Sequence, residues 1–256
     1  MLRPRVIPCL LVRDGGLVKT RKFADEKYVG DPLNAVRIFN EKEVDELILL
    51  DIDATMMGRQ PDYAMIENVA KECRMPLSYG GGVTDVEQAK RIMGLGVEKV
   101  SLASGAVARP KLIAEIAEQV GTQSVVVVLD VKKTLLGGYR VHTRNGTKDS
   151  KLDPVSFAAR CQDLGAGEIL INSVDRDGMG TGFDLDLAAK IRAVVNIPIT
   201  LLGGAGNFDH MMQAVERLGV IGMSAGSMFV FKGQYRAVLI SYLNAEERKA
   251  LVRIAR

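Results

Sequence analysis

No stretch of this sequence is apolar for long enough to cross a membrane. The one N-terminal apolar run, Val6–Val12, contains Pro8 and is also too short for the core of a secretion signal. Charge of one sign is scarce too. Thirty-four basic residues against 31 acidic leave a net charge of +3, too mild for a chain whose business is nucleic acid. Cysteine and histidine are few: Cys9, Cys73 and Cys161 have no ligand-like spacing, and His142 and His210 are the only histidines. That argues against a zinc site, and free thiols fit a reducing cytoplasm. A break in composition is also missing, so nothing marks a linker between domains. The expectation is a cytoplasmic chain with no cofactor, no metal, no nucleic-acid partner and no membrane partner.

What is present is alternation. Short apolar runs recur at Val6–Val12, Glu46–Asp51, Leu77–Tyr79, Lys99–Leu102, Ser124–Asp130, Glu168–Asn172, Ile199–Leu202 and Ile221–Ser224. Between most of them lie segments with helical spacing, such as Asp62–Lys71, Asp85–Met93, Lys111–Gln119, Asp184–Val194 and Phe208–Leu218. Eight strand–helix units in 256 residues predict one α/β domain over 1–256, a single (β/α)8 TIM barrel. An internal repeat supports it. Glu46-Leu47-Ile48-Leu49 aligns with Glu168-Ile169-Leu170-Ile171, after which Asp53 falls on Asp175, Pro76 on Pro198 and Gly81-Gly82 on Gly203-Gly204. With one residue of slip, Gly96-Val97 matches Gly219-Val220 and Ser101 matches Ser224. Two half-barrels follow. Two connections are long: a hairpin over Arg13–Lys19 turning at Gly15-Gly16, with a charged exposed stretch on to Pro32, and Lys132–Asp153, with turn signals at Gly137-Gly138 and Asn145-Gly146.

Ser124–Asp130 carries four valines and a leucine, the pattern of a strand buried on both faces, and ends in an acid. At the C-terminal end of a barrel strand Asp130 is either a catalytic acid or the cap of the following loop. Asp177 is a second acid candidate, within Asp175-Arg176-Asp177-Gly178, and Asp51 and Asp53 echo it; turn-and-cap roles fit these acids equally well. Gly80-Gly81-Gly82 and Gly203-Gly204-Ala205-Gly206 each follow a strand and precede a helix. With Ala225-Gly226-Ser227 they offer backbone N–H groups to a phosphate, or serve only as tight turns.

In order along the chain, Arg5-Val6-Ile7-Pro8-Cys9-Leu10, Asp14-Gly15, Gly30-Asp31-Pro32, Asp45-Glu46-Leu47, Leu50-Asp51-Ile52, Gly80-Gly81-Gly82-Val83, Gly165–Leu170, Asp175–Gly178 and Gly203–Gly206 resemble the cyclase subunit of imidazole glycerol phosphate synthase. The likeness runs to about Phe231. It implies a barrel that takes ammonia from a glutaminase subunit and uses it to cleave and cyclise a ribonucleotide with two phosphates. Residue by residue it implies phosphate contacts at Gly81, Gly82, Ser104, Asp177, Gly178, Gly203, Gly204, Ala225, Gly226 and Ser227. It also implies an aspartate at the ends of strands one and five as general acid and base.

Three positions depart from that pattern. Asp130 matches the strand-five acid, but the strand-one position is Leu11, which has no proton to exchange. Ala103-Ser104 stands where the family has an Asn-Thr pair, and Leu202 precedes Gly203. The other end of the barrel keeps its pattern. Arg5, Glu46, Lys99 and Glu168 begin strands one, two, four and six, where they form either a stabilising charge cluster or, by resemblance, the gate at which ammonia enters. Glu98 falls at an acidic docking position for the glutaminase. An intact gate beside weakened chemistry resembles a branch of the family found with bacterial surface-polysaccharide genes. The resemblance therefore implies a conduit that passes ammonia to a separate sugar N-amidotransferase, with the histidine-pathway cyclase as the alternative.

Overall fold

The computed structural model describes residues 3–255. Eight parallel strands form a closed ring: β1 (Arg5–Arg13), β2 (Leu47–Asp51), β3 (Leu77–Gly80), β4 (Lys99–Leu102), β5 (Val125–Lys133), β6 (Glu168–Ser173), β7 (Ile199–Leu202) and β8 (Gly222–Ala225). Each pairs with the next, and β8 pairs back onto β1 through Arg5↔Gly222 and Ile7↔Ser224. The eight outer helices are α1 (Pro32–Glu41), α2 (Tyr63–Glu72), α3 (Val86–Gly94), α4 (Lys111–Val120), α5 (Pro154–Asp163), α6 (Leu185–Arg192), α7 (Phe208–Leu218) and α8 (Ala245–Ile254). This is the expected (β/α)8 barrel.

Strand alternation sorts the core into two. On β5, Val125, Val127, Leu129 and Val131 face the helices, whereas Val126, Val128 and Asp130 face the barrel axis. That division is why a run of valines buried on both faces was needed. The axis is filled by Ile7, Cys9, Ile48, Val126, Val128, Leu170 and Leu202, a packed interior rather than an open pore. Hydroxyls within it satisfy one another or the backbone: Ser78 and Ser101 lie 2.9 Å apart, and Ser224 donates to the Ile7 carbonyl at 2.9 Å.

Seven of the eight outer helices begin at an Asp or Asn whose side chain accepts from the backbone N–H three residues on, as at Asp62, Asp85 and Asp184. Each such cap contributes about 1 kcal/mol. The exception is α4, which starts after Pro110.

The β1 connection differs from expectation in two ways. Its turn is Asp14-Gly15, one residue earlier than Gly15-Gly16, because both turn residues must adopt positive φ (47° and 75°) and Asp-Gly is the better pair for that. The charged stretch before Pro32 is exposed as expected but is a strand, Ala24–Gly30, paired antiparallel with Gly16–Arg21 across the turn Lys22-Phe23. The β5 connection is a hairpin as its turn signals predicted, with Tyr139–Thr143 returning along β5 so that His142 stands opposite Asp130. Both rise from the C-terminal mouth.

Candidate active site

At the N-terminal foot of the barrel four charges meet. Arg5 donates to both Glu46 and Glu168, at 2.6 Å to Glu168 Oε1, and Lys99 Nζ lies 2.8 Å from Glu46 Oε1 and 3.0 Å from Glu168 Oε2. All four come from the first inward position at or beside a strand start, so strand alternation alone brings them to the axis. Burial works to raise the Glu168 carboxyl, but Arg5 and Lys99, with hydrogen bonds from Arg5 and Thr200, outweigh it and hold it below the usual range. Burial likewise works against the Arg5 cation, and Glu168 and Glu46 reverse the effect. The ring is neutral and fully paired. Glu98, just outside it, is exposed on the same face.

At the mouth, a cleft opens above one residue from each strand or the position just past it: Leu11, Leu50, Gly80, Ala103, Asp130, Asn172, Leu202 and Gly226. Of these only Asp130 and Asn172 are polar. Leu11 packs with Leu50, Ala103 and the apolar axis, so the strand-one position is part of the floor and offers no proton. Asn172 Nδ2 donates to Asp130 Oδ1 at 2.9 Å. Burial pushes the Asp130 carboxyl up to about 7; Asn172 and Lys132 oppose this, and the charge of Asp177 adds to it. A group poised there can both give and take a proton near neutral pH.

Lys19 is the buried cation of the site. Its ammonium donates to the Cys9 carbonyl at 2.7 Å, and burial brings its pKa down to about 8 against the pull of Cys9 and Asp177. Asp177 is turned toward the β1 hairpin. It accepts from Thr20 Oγ1 at 2.6 Å and from the Phe23 N–H at 3.2 Å, while its carbonyl accepts from Lys22. Gly178 sits under the same turn: a Cβ there would lie 2.1 Å from the Thr20 carbonyl oxygen. Asp177 and Gly178 thus form the seat on which the hairpin rests across the mouth.

The remaining acids take cap and tether roles. Asp51 accepts from the N–H groups of Asp53 and Ala54, and Asp53 is chelated by Arg13 through Nε at 3.0 and 3.1 Å. In the second half Asp175 accepts from Lys133 N–H at 2.8 Å. In each half, then, an acid after an even strand reaches back to the preceding odd strand's hairpin.

Among the phosphate candidates, Gly81, Gly82 and Ser104 line the β3–β4 wall of the cleft, and Gly226 and Ser227 line it opposite. Gly203, Gly204 and Ala225 are buried, the Ala225 methyl packing into the outer core. Close backbone approach accounts for the glycines: a Cβ at Gly81 would stand 2.5 Å from the Asp51 carbonyl oxygen, and one at Gly204 2.0 Å from that of Gly182. Ser104 Oγ accepts from Arg144 N–H at 3.1 Å.

Two mouth residues escaped the sequence reading. Asn172 had a signal, a lone amide closing the apolar run Ile169-Leu170-Ile171. Lys19 stands in the sequence only as the end of the Arg13–Lys19 hairpin, and nothing in a strand of alternating character says that its ammonium turns inward. Among the described residues no cluster of His, Cys, Asp and Glu is arranged to hold a metal ion, and no helix is long and apolar enough to cross a membrane.

The family model for histidine biosynthesis proteins matches residues 5–236. A Vibrio vulnificus protein provisionally named as an imidazole glycerol phosphate synthase subunit is 56% identical over 97% of this chain and 96% of its own. A Leptospira interrogans protein with the same provisional name is 54% identical over 98% and 99%. The imidazole glycerol phosphate synthase subunit HisF of Streptococcus sanguinis is 40% identical over 98% and 96%.

Proposed function

Because the chain belongs to the histidine biosynthesis protein family, we propose that it is the ammonia-using barrel subunit of an imidazole glycerol phosphate synthase type of complex, partnered by a glutaminase. The observation that carries this reading is a single axis with a paired charge ring at one end and one proton-exchanging acid at the other. Between them lie apolar side chains and hydroxyls already bonded internally. Such an interior is costly for an ion and tolerable for a small neutral molecule. Ammonia released against the foot of the barrel would pass Arg5, Glu46, Lys99 and Glu168 and arrive beside Asp130. Glu98 would face the glutaminase. A phosphorylated substrate would lie in the cleft, with the N–H groups around Gly82, Ser104 and Ser227 toward its phosphates. Asp130 would exchange the proton as the new bond to nitrogen forms.

The relatives' names support the cyclase reaction of histidine biosynthesis as that use of ammonia. Leu11 supports a second reading. With one acid in place of two, the barrel would hand ammonia to another acceptor, a nucleotide-linked or lipopolysaccharide sugar bound by a separate N-amidotransferase.

The test is conversion of the histidine-pathway ribonucleotide by the purified chain with free ammonium, beside the Streptococcus relative. The cyclase reading predicts measurable turnover, lost in Asp130→Asn. The missing second acid should slow it by about two to four orders of magnitude. No turnover above the Asp130→Asn background would sink the cyclase and leave the conduit. In the reconstituted pair, Glu46→Lys or Lys99→Glu should uncouple glutamine use from product, with free ammonium restoring it. Unchanged coupling would remove the ring from the reading.

A further inference from the structure

Exposed apolar side chains are unevenly placed on this molecule. Among the described residues, all the large ones except Val194 and Val220 stand on connections that leave the C-terminal ends of strands. The most exposed are Leu135 and Leu136, side by side at the tip of the β5 hairpin and both fully open to solvent. The tip does not need them. Its turn closes through the Thr134 N–H to the Gly138 carbonyl at 2.8 Å and the Gly137 N–H to the Thr134 carbonyl at 3.0 Å, with Thr134 Oγ1 accepting from the Gly138 N–H. Single exposed apolar residues are ordinary, whereas adjoining ones rimmed by polar groups mark a contact surface.

A groove runs beside the tip, between the hairpin and helices α6 and α7. It is lined by Lys133, Gly137, Tyr139, Asp186, Lys190 and Arg217. The Tyr139 hydroxyl donates to the buried Asp184 at 3.1 Å, and the ammonium groups of Lys133 and Lys190 lie 5.7 and 5.6 Å from the centre of its ring. Those two cations are poorly answered. Lys190 has no ion pair among the described residues. Lys133 comes only within 3.9 Å of Asp184, whose oxygens already serve Tyr139 and the first turn of α6. Asp186 is taken by Arg217 at 2.6 Å. From Lys132 to Asp153, six basic residues stand against Asp149 and Asp153 alone.

This chemistry selects the occupant. A free anion would answer Lys133 and Lys190 and leave the leucines bare. A second copy of the chain would bring up the same unanswered cations. A protein segment with carboxylates beside apolar side chains satisfies both needs, its charges steering it to the groove and its apolar groups covering the tip. We propose that the Leu135-Leu136 tip and the groove beside it dock such an acidic, apolar segment of a protein partner other than the glutaminase. The proposal rests on the reading above only in giving the foot of the barrel to the glutaminase.

The test has two stages. In the full chain, expressed in its own host, Leu136 is replaced by the photo-crosslinking residue benzoylphenylalanine, and Glu98 is replaced likewise in a second sample. The protein captured at position 136 is identified, purified and titrated onto the full chain, alone and with the glutaminase bound. The expected result is saturable binding that survives the glutaminase and weakens with added salt. Leu135→Ser with Leu136→Ser should weaken it about tenfold, and Lys190→Glu by a similar factor, each with the parent circular dichroism. No capture at position 136, capture of the glutaminase there, or binding indifferent to these substitutions would overturn the proposal. So would binding to phosphatidylglycerol vesicles, or self-association in sedimentation, that the leucine variant alone abolishes, since either gives the surface to a membrane or a second copy. The Glu98 sample reports separately: its failure to capture the glutaminase counts against the reading of the foot, while the titration at position 136 still decides this surface.

Discussion

At the residue scale, Asp130 is held at a cost. Its carboxyl is pushed up to about 7 by burial, against an ordinary value near 3.8 in the unfolded chain. Below about pH 4 both states are protonated and the group is neutral to stability. From there to pH 7 the unfolded chain gives up its proton and the folded one retains it, so stability is lost as pH rises through that window. Above 7 the whole penalty remains. Asp130→Asn should therefore raise Tm at pH 8 by several degrees and leave it nearly unchanged at pH 4, as read by circular dichroism; an equal change at both would refute the assignment. Such a gain, bought by losing the acid, is the usual signature of a functional group. Asp130 was legible in the sequence because an acid closing four valines breaks the pattern of its strand. Leu11 was legible only against the family pattern, since a leucine in an apolar strand breaks no local rule. The bond from Asn172 to Asp130 was not legible at all, because it exists only once β6 lies beside β5.

At the element scale, the helices were legible through the helical spacing of their apolar residues, and Asp62, Asp85 and Asp184 each close the first turn of theirs. The Ala24–Gly30 strand was missed because Asp25-Glu26-Lys27 has neither alternation nor β-propensity, and it is held by backbone pairing to its neighbour. Its turn is held from outside. Lys22 and Phe23 sit at φ of 52° and 62°, a conformation that costs non-glycine residues on the order of 1–3 kcal/mol. The Asp177 side chain and carbonyl receive the N–H groups of Phe23 and Lys22. Gly178→Ala would drive a methyl into the Thr20 carbonyl and lift the hairpin from its seat. Trypsin cleavage after Arg21 or Lys22 should then accelerate about tenfold, the equivalent of ~1.4 kcal/mol of lost docking, with the barrel's circular dichroism retained. Cleavage at the parent rate would show that the seat does not hold the turn.

At the scale of the whole molecule, the two halves share one ring and one interior. They meet along β4–β5 and again along β8–β1, and the axial cluster draws on both, with Ile7, Cys9 and Ile48 from one and Val126, Leu170 and Leu202 from the other. Neither half can leave without opening the other's core. A single thermal transition should follow, superimposable by circular dichroism and by tyrosine fluorescence, to which Tyr79 in one half and Tyr139 and Tyr242 in the other contribute. Two resolved steps would contradict one domain. The repeat made this architecture readable, while the sharing of the core along two seams is a property of closure and has no local signature. The charge ring at the foot follows a similar logic. Arg5 and Lys99 each touch both Glu46 and Glu168, so the four contacts make a closed circuit in which every charge has two opposite neighbours. Any one link can break while no member is stranded. The foot of the barrel is thus redundant toward motion and intolerant of deletion: a swing of one side chain leaves all four charges answered, whereas removing one residue breaks two links at once.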